Sequence, residues 1–235
     1  MNSPRVAILA GGLGTRLRAL TGGLPKSLVD VDGEPFVLRQ LSLLARRGIR
    51  EAVLCVGYGE ELVRARVGDG AGTGVKVLYS SDGGSPLGTG GAILNAFPLL
   101  SDPFWVLYGD SYLDTDYAPA LERFRRGDGL ALMTVIRNEG RWGEPNAAFD
   151  GTRVLRYGKQ GPRDGMTHLD YGLLLMSKAA FKDAPARGPF DLAGVLGDLA
   201  LRGGLLGLEM REPLHEAGSP EGLAALRRHL GEARG

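Results

Sequence analysis

Cysteine is nearly absent from this chain: among 235 residues only Cys55 carries a thiol, which excludes an internal disulfide and any multi-thiolate metal site. Histidine is almost as scarce. His168, His215 and His229 are scattered without the spacing of a metal-ligand set, and none is assigned a catalytic role. An excess of one charge is missing too: 28 Lys and Arg stand against 27 Asp and Glu, leaving no electrostatic footprint for nucleic acid or a membrane surface. No apolar run approaches the roughly 20 residues of a transmembrane helix. The first apolar run begins at Val6, too early for a basic and apolar signal region to precede it, so the expectation is a cytoplasmic protein. There is no internal repeat, low-complexity tract or obvious linker, and a 43% hydrophobic content suits one α/β domain spanning 1–235. Cys55 lies inside the apolar run Ala52-Val53-Leu54-Cys55-Val56 and reads as a packing residue.

What the chain does have is glycine, 38 residues of it, and one glycine cluster is informative. The run Val6-Ala7-Ile8-Leu9 reads as a buried strand and leads into Leu9-Ala10-Gly11-Gly12-Leu13-Gly14-Thr15-Arg16, followed by Pro25-Lys26. Glycines let backbone N–H groups approach an anion closely, and Arg16 and Lys26 supply charge that such a loop lacks. Taken alone, the loop is equally compatible with a tight strand-to-helix turn bearing solvated basic residues. Two better-known glycine loops do not fit. A dinucleotide fingerprint would need a small residue where Leu17 stands, and a P-loop would need glycine where Pro25 precedes Lys26-Ser27.

The remaining pattern alternates strand and helix, as a wound α/β sheet requires. Strands are expected at residues 5–9, 52–56, 75–79, 104–108, 130–136, 153–157, 168–176 and 205–210. Helices are expected at 36–47, 60–67 and 118–126, with a final helix from Ser219 or Pro220 to about Leu230. Gly48 is placed to stop the first of these helices, and the glycine-rich stretch from Gly68 to Gly74 reads as the most flexible loop.

The loop from Leu9 to Lys26, continued by Ser27-Leu28-Val29-Asp30-Val31-Asp32-Gly33-Glu34-Pro35-Phe36, resembles the nucleotidyltransferases that make nucleotide sugars from a nucleoside triphosphate and a sugar 1-phosphate. Leu87-Gly88-Thr89-Gly90-Gly91-Ala92, Gly109-Asp110-Ser111 and Gly218-Ser219-Pro220-Glu221 resemble that family's later motifs in the family's order, covering essentially the whole chain. Pairing the second motif with Tyr108-Gly109-Asp110-Ser111-Tyr112-Leu113-Asp114 makes it most similar to the D-glycero-D-manno-heptose 1-phosphate guanylyltransferases. The resemblance implies a single-domain, Rossmann-like (GT-A-like) fold: a wound, mostly parallel mixed sheet flanked by helices. It implies Mg²⁺ as cofactor, an NTP and a sugar 1-phosphate as partners, and leaves a homo-oligomer open.

The implied reaction is an in-line attack by the sugar-phosphate oxygen on the α-phosphorus, with pyrophosphate leaving, and its catalysis is largely electrostatic. By resemblance Leu9, Ala10, Gly11, Gly12, Leu13, Gly14 and Thr15 hold the nucleotide, with the amides of Leu13, Gly14 and Thr15 on the β- and γ-phosphates. Arg16 is the leaving-group cation and Lys26 serves the α-phosphate and the incoming phosphate. Gly88 and Thr89 meet the nucleobase. Asp110, at the end of an apolar strand, and Glu216 are the Mg²⁺ ligands, while Asn146, Lys159, Asp170 and Gly172 face the sugar phosphate. Arg141, Trp142 and Asn146 read as a lid over the acceptor, an aromatic face with polar groups at its rim, with packing under a loop the alternative for Trp142. Asp114 and Asp116 read as caps or solvated charges near the metal rather than as ligands.

Three positions depart from the family pattern. Glu216 stands where many relatives have Asp, one methylene longer. Gly158 replaces an acidic neighbour of Lys159. Asp170-Tyr171-Gly172 stands in place of Asn-Ala-Gly, exchanging an amide for an acceptor-only carboxylate. Other readings stay open: transfer to another phosphorylated acceptor such as phosphocholine or N-acetylmuramic acid 1-phosphate, a catalytically silent nucleotide-sugar sensor, and, more remotely, a glycine-rich redox domain.

Overall fold

A computed structural model describes residues 3–12, 22–158 and 164–232. In chain order its first half contains β1 (Val6–Leu9), β2 (Asp30–Val31), β3 (Glu34–Pro35), α1 (Phe36–Arg46), β4 (Glu51–Val56), α2 (Glu60–Val67), β5 (Lys76–Ser81), α3 (Gly88–Ala96), β6 (Phe104–Tyr108) and β7 (Ser111–Tyr112). The second half contains α4 (Ala118–Arg126), β8 (Ala131–Arg137), β9 (Ala147–Phe149), β10 (Val154–Tyr157), β11 (His168–Met176), α5 (Leu192–Leu201), β12 (Leu205–Glu209), β13 (His215–Glu216) and α6 (Pro220–Glu232).

The main sheet runs β12-β8-β11-β6-β1-β4-β5, with β9 joining β11 and β10 joining β9. β6, β1, β4 and β5 are mutually parallel, β12 is parallel to β8, and β11 runs against both of its long neighbours. Such strands are buried on both faces, which is why they read as continuous apolar runs. In β1, Val6 and Ile8 join one core while Ala7 joins the other. α1, α2 and α4 cover the first face through Val37, Leu41, Leu44, Val63, Val67 and Ala120. α3 and α5 cover the second through Ala92, Ile93, Ala96, Leu192, Leu196 and Leu199. A third, smaller core joins Val31 and Phe36 to Tyr112, Ala217, Leu223 and Leu226, and so docks α6 beside β7.

Most expected elements appear at or within a few residues of their predicted limits. α1 closes at Arg46, and two residues on Gly48 turns the chain with a φ of 82°, open to glycine without strain. Two helices were not anticipated. α3 opens on Gly-Thr-Gly-Gly, weak helix formers, but its glycines are steric necessities: a methyl on Gly90 would collide with the Phe190 ring. α5 buries Leu192, Leu196, Leu199 and Ala200 on one face and leaves Leu201 exposed on the other, so its sequence shows no clear polar stripe. The stretch from Gly68 to Gly74 is not loose as expected but tied down: Tyr79 Oη donates to the Gly68 carbonyl at 2.6 Å and the Val77 N–H to the Asp69 carbonyl at 2.8 Å. Among the described residues no helix is long and apolar enough to cross a membrane.

Chain order places the site. From β1 the chain moves to β4 and β5 on one side, then returns to β6 on the other. The carboxyl ends of β1 and β6 therefore border the crevice in which wound sheets bind ligands.

Candidate active site

β6 approaches β1 closely at its exit because residue 109 has no side chain: a methyl on Gly109 would sit 3.0 Å from the Leu9 carbonyl carbon and nearer still to its oxygen. The Gly109 N–H donates to that oxygen at 3.1 Å. Asp110 follows, and buried Gln40 of α1 fixes its surroundings, donating from Nε2 to the carbonyls of Tyr108 at 3.0 Å and Ser111 at 2.8 Å. β7 then pairs with β13, setting Ser111 opposite Glu216, and the Ala217 N–H donates to the Asp110 carbonyl at 2.7 Å. This short ladder brings two carboxylates remote in sequence to one place. Lys26 arrives from a 3-10 turn closed by a 2.8 Å bond from the Leu28 N–H to the Pro25 carbonyl, and its ammonium pairs with the Asp110 carboxylate.

Gly218 is the space into which these charges converge. A methyl there would lie 2.6 Å from Asp110 Oδ2 and 2.7 Å from Lys26 Nζ, and would overlap Glu216 Oε2. Glu216 also organises the start of α6: its carboxylate accepts from the Gly218 N–H at 2.6 Å and from Ser219 Oγ at 2.5 Å, and Ser219 Oγ in turn accepts from the Gly222 N–H at 3.0 Å. Its extra methylene gives it reach for that capping while it still faces Asp110. Two hard carboxylates around one gap fit a Mg²⁺ ion, which is commonly held by one or two carboxylates together with substrate phosphates. No cluster of three or more His, Cys, Asp or Glu that could hold a metal forms among the described residues. Asp114 pairs instead with Arg47, and Asp116 accepts from the Ala118 N–H at 2.9 Å in the turn that leads into α4.

Leu9, Ala10, Gly11, Gly12, Lys26, Gly88, Thr89 and Asp110 line one cleft. Leu13, Gly14, Thr15, Arg16 and Lys159 lie outside the described residues. Gly88 holds φ at 69°, and a methyl there would fall 2.5 Å from the Phe190 carbonyl oxygen, so only glycine fits. The Thr89 hydroxyl is occupied: it donates to Asp191 Oδ1 at 2.7 Å and accepts from the Leu192 N–H at 2.8 Å, positioning α5. Cys55 also reaches the cleft, but burial pushes its thiol up to about 12, and it remains a packing residue. Asp82, directly after β5, lines the same cleft. Sequence reading missed it because an aspartate before Gly-Gly-Ser-Pro looks like any turn residue.

On the acceptor side, Asp170 Oδ2 accepts from Tyr108 Oη at 3.1 Å and Tyr157 Oη at 3.0 Å, while Oδ1 accepts from the Gly172 N–H at 2.9 Å. Burial first, and the Asp170 charge second, push both phenols far above their ordinary range. Asn146 Oδ1 accepts from the Asp170 N–H at 2.9 Å. Gly172, at φ 99°, lies against Ser111: a methyl would approach Ser111 Oγ to 2.8 Å. Asn146, Asp170 and Gly172 thus form one hydrogen-bonded group that meets the cleft through Tyr108. Trp142 packs against the first core, and its backbone N–H donates to Asn138 Oδ1 at 3.2 Å. Arg141 pairs with Glu139 at 2.8 Å.

The comparisons agree with this architecture. Residues 5–143 match the nucleotidyl transferase family. The chain is 29% identical over 178 residues to the D-glycero-alpha-D-manno-heptose 1-phosphate guanylyltransferase of Campylobacter jejuni, across 75% of this chain and 77% of that protein. It is 27% identical over 223 residues to the mannose-1-phosphate guanylyltransferase catalytic subunit beta of Danio rerio, across 92% of this chain but only 62% of that protein. The crystal structure of HddC from Yersinia pseudotuberculosis complexed with GMP-PN superimposes with a TM-score of 0.78 at 26% identity, over 97% of this chain and 100% of HddC. The chain belongs to the nucleotidyl transferase family, as an enzyme of the sugar-1-phosphate nucleotidyltransferase type.

Proposed function

We propose that this enzyme transfers guanosine monophosphate from GTP to D-glycero-D-manno-heptose 1-phosphate, releasing pyrophosphate, and that it works in the cytoplasm. The observation that carries the transfer reading is the convergence of Lys26, Asp110 and Glu216 on the gap at Gly218, at the carboxyl ends of β1 and β6. The guanylyl and heptose assignments draw on the motif combination and on the names of the Campylobacter and Danio relatives.

Both substrates are anions, so the protein must offset their repulsion and hold nucleophile, phosphorus and leaving group in line. Lys26, poised against Asp110, can turn its ammonium to the α-phosphate and the incoming phosphate once a ligand enters. Leu13, Gly14 and Thr15, to which the resemblance gives the outer phosphates, and Arg16, to which it gives the charge on departing pyrophosphate, lie outside the described residues and enter the proposal on that resemblance alone. Asp110 and Glu216 would hold Mg²⁺, which when bound supplies further charge neutralisation at the phosphates. The sugar-phosphate oxygen forms the new P–O bond as the α–β bridge breaks and its electron pair leaves with pyrophosphate.

A pyrophosphate-release screen across GTP, ATP, UTP and CTP against a panel of sugar 1-phosphates, phosphocholine and N-acetylmuramic acid 1-phosphate tests the reading. GTP with the heptose 1-phosphate should give the highest kcat/KM. A higher value for UTP with glucose 1-phosphate removes the guanylyl and heptose assignments but leaves nucleotidyl transfer standing. Silence with every pair, in a folded protein that binds nucleotide, favours the sensor reading.

A further inference from the structure

We propose that Tyr58 is a positioning residue for nucleotidyl transfer: with Gly59 it clamps the chain from Gly23 to Pro25 against the start of α2, and so fixes where Lys26 meets the reacting phosphates. Tyr58 acts here only through the role given to Lys26 above.

β1 and β4 leave the sheet side by side. The Ala10 N–H donates to the Cys55 carbonyl at 2.9 Å, and a methyl on Gly57 would lie 3.1 Å from the Gly11 carbonyl oxygen. Directly after this contact the chain turns into α2, the Glu60 N–H donating to the Gly57 carbonyl at 3.1 Å. Tyr58 stands in that turn and reaches the segment that precedes Lys26, its hydroxyl donating to the Gly23 carbonyl at 2.8 Å. Gly59 completes the clamp. It holds φ at 66°, and a methyl on it would overlap Pro25 Cγ and lie 3.0 Å from Cδ, so the proline ring occupies the place of the missing side chain.

The clamped segment is one that needs holding. Gly22 at φ 60° and Gly23 at φ 89° put two glycines in the left-handed region before Leu24, and glycine gives up more conformational freedom on ordering than any other residue. Pro25 has no N–H with which to anchor itself, while its carbonyl closes the 3-10 turn of Lys26 by accepting from the Leu28 N–H at 2.8 Å. Tyr58 and Gly59 therefore secure the approach to that turn and its first residue, and the turn carries Lys26 to the Asp110 carboxylate. Tyr58 itself belongs to none of the three cores and is 38% exposed, so its hydroxyl is spent on this segment rather than on the fold. A cation displaced by about 1 Å from its productive place loses turnover even when its charge is intact. Tyr58 also lines a small recess that shares Gly11, Asp82 and Pro86 with the cleft, which makes direct contact with the nucleotide the rival role to separate.

The test is a double-mutant cycle on kcat with Tyr58→Phe and Lys26→Ala, run with the NTP and sugar 1-phosphate pair that the wild type turns over fastest. Thermal unfolding confirms that each variant is folded, and single turnovers with enzyme in excess measure the slowest ones. Tyr58→Phe removes one oxygen and keeps the ring. In the otherwise wild-type chain it should lower kcat about tenfold, with KM for the NTP changed by less than about twofold. On the Lys26→Ala background it should change the rate by less than about twofold, because the residue it positions is gone. Loss by the same factor on both backgrounds overturns the inference while leaving Lys26 its role. A raised KM for the NTP at unchanged kcat also overturns it and makes Tyr58 a nucleotide contact, and unchanged kinetics leave the hydroxyl no part in transfer. Near-normal kcat in Lys26→Ala, or a wild type silent with every pair, fails at the earlier step: it removes the role of Lys26 and with it anything for Tyr58 to position.

Discussion

The two halves of the sheet edge meet their ligands in different ways. On the side of β5, β4, β1 and β6, the structure around the cleft depends on absences: Gly11, Gly57, Gly109 and Gly218 each leave room that a single methyl would crowd or fill, taken by the Asp82 carboxylate at the first two, by the Leu9 backbone at Gly109, and by Glu216, Asp110 and Lys26 at Gly218. Beyond β6, on the side of β11, side chains are locked to one another: Tyr108, Tyr157, Asn146 and the Gly172 N–H all bond Asp170. On the proposed function, the first half would let anionic phosphate come close to backbone and cations. The second would offer a fixed pattern of acceptors and donors to the sugar phosphate. Changes in the first half should therefore lower turnover, and changes in the second should weaken one substrate selectively.

The largest expected effect is in the first half. Asp110→Asn removes the charge opposite Lys26 and should reduce kcat by about 10³, the upper range for loss of one preorganised electrostatic contact. Gly218→Ala tests the geometry without changing any charge. Its methyl would overlap the Glu216 carboxylate and press on Asp110 and Lys26, so kcat should fall about 10²-fold. Steady-state kinetics at saturating substrates, with circular dichroism to confirm folding, reads both. Near-normal turnover in Gly218→Ala would mean that the three charged groups need not converge for transfer.

The same contrast explains what could be read from the sequence. The residues proposed to handle phosphate stand in contiguous runs, so that Gly11-Gly12, Lys26 and Asp110 belong to one cleft was legible from strand ends and motif order. That Asp110 and Glu216 share a site could be stated only by analogy, because the β7–β13 ladder joining them is two residues long on each side and leaves no periodicity. That Asp82 lines the cleft was missed because its place depends on strand order, which brings the end of β5 to the cleft edge; its own neighbours read as a turn. Tyr157 closes a short strand and carries no spacing signal toward Asp170. For Gly88-Thr89, the motif was visible but its structure was not. The glycines that looked like a base-binding loop begin a helix, because packing against residues 188–192 outweighs poor helix propensity.

A smaller and more selective effect is expected from Asp170→Asn. The amide can accept through one oxygen only, and its NH₂ would face one of the donors that now converge on the carboxylate: Tyr108, Tyr157 or the Gly172 N–H. The tyrosine pair should lose its fixed geometry. KM for the sugar 1-phosphate should rise about tenfold, equivalent to about 1.4 kcal/mol, with KM for the NTP changed by less than about twofold. Equal rises in both would dissolve the distinction between the halves. An unchanged sugar KM would show that the Asp170 group is internal scaffolding.

The smallest effect should come from the seam between nucleotide cleft and second core. Thr89 lines the cleft, yet its hydroxyl is spent on α5, donating to Asp191 and accepting from the Leu192 N–H. Asp191 is itself the cap of that helix, accepting from the Ala193 N–H at 2.9 Å. Thr89→Val keeps the shape and removes both bonds, leaving the Leu192 N–H without its acceptor. Loss of a capping contact costs about 1 kcal/mol, which for a chain of this size corresponds to a fall in Tm of about 2–4 °C. If the hydroxyl serves only to dock α5 against α3, that fall will come with little change in KM for GTP. If it also meets the nucleobase, KM for GTP will rise several-fold at a temperature well below unfolding. Measuring Tm and KM on one preparation therefore decides whether Thr89 belongs to the half that binds through absent side chains or to the half that binds through locked ones.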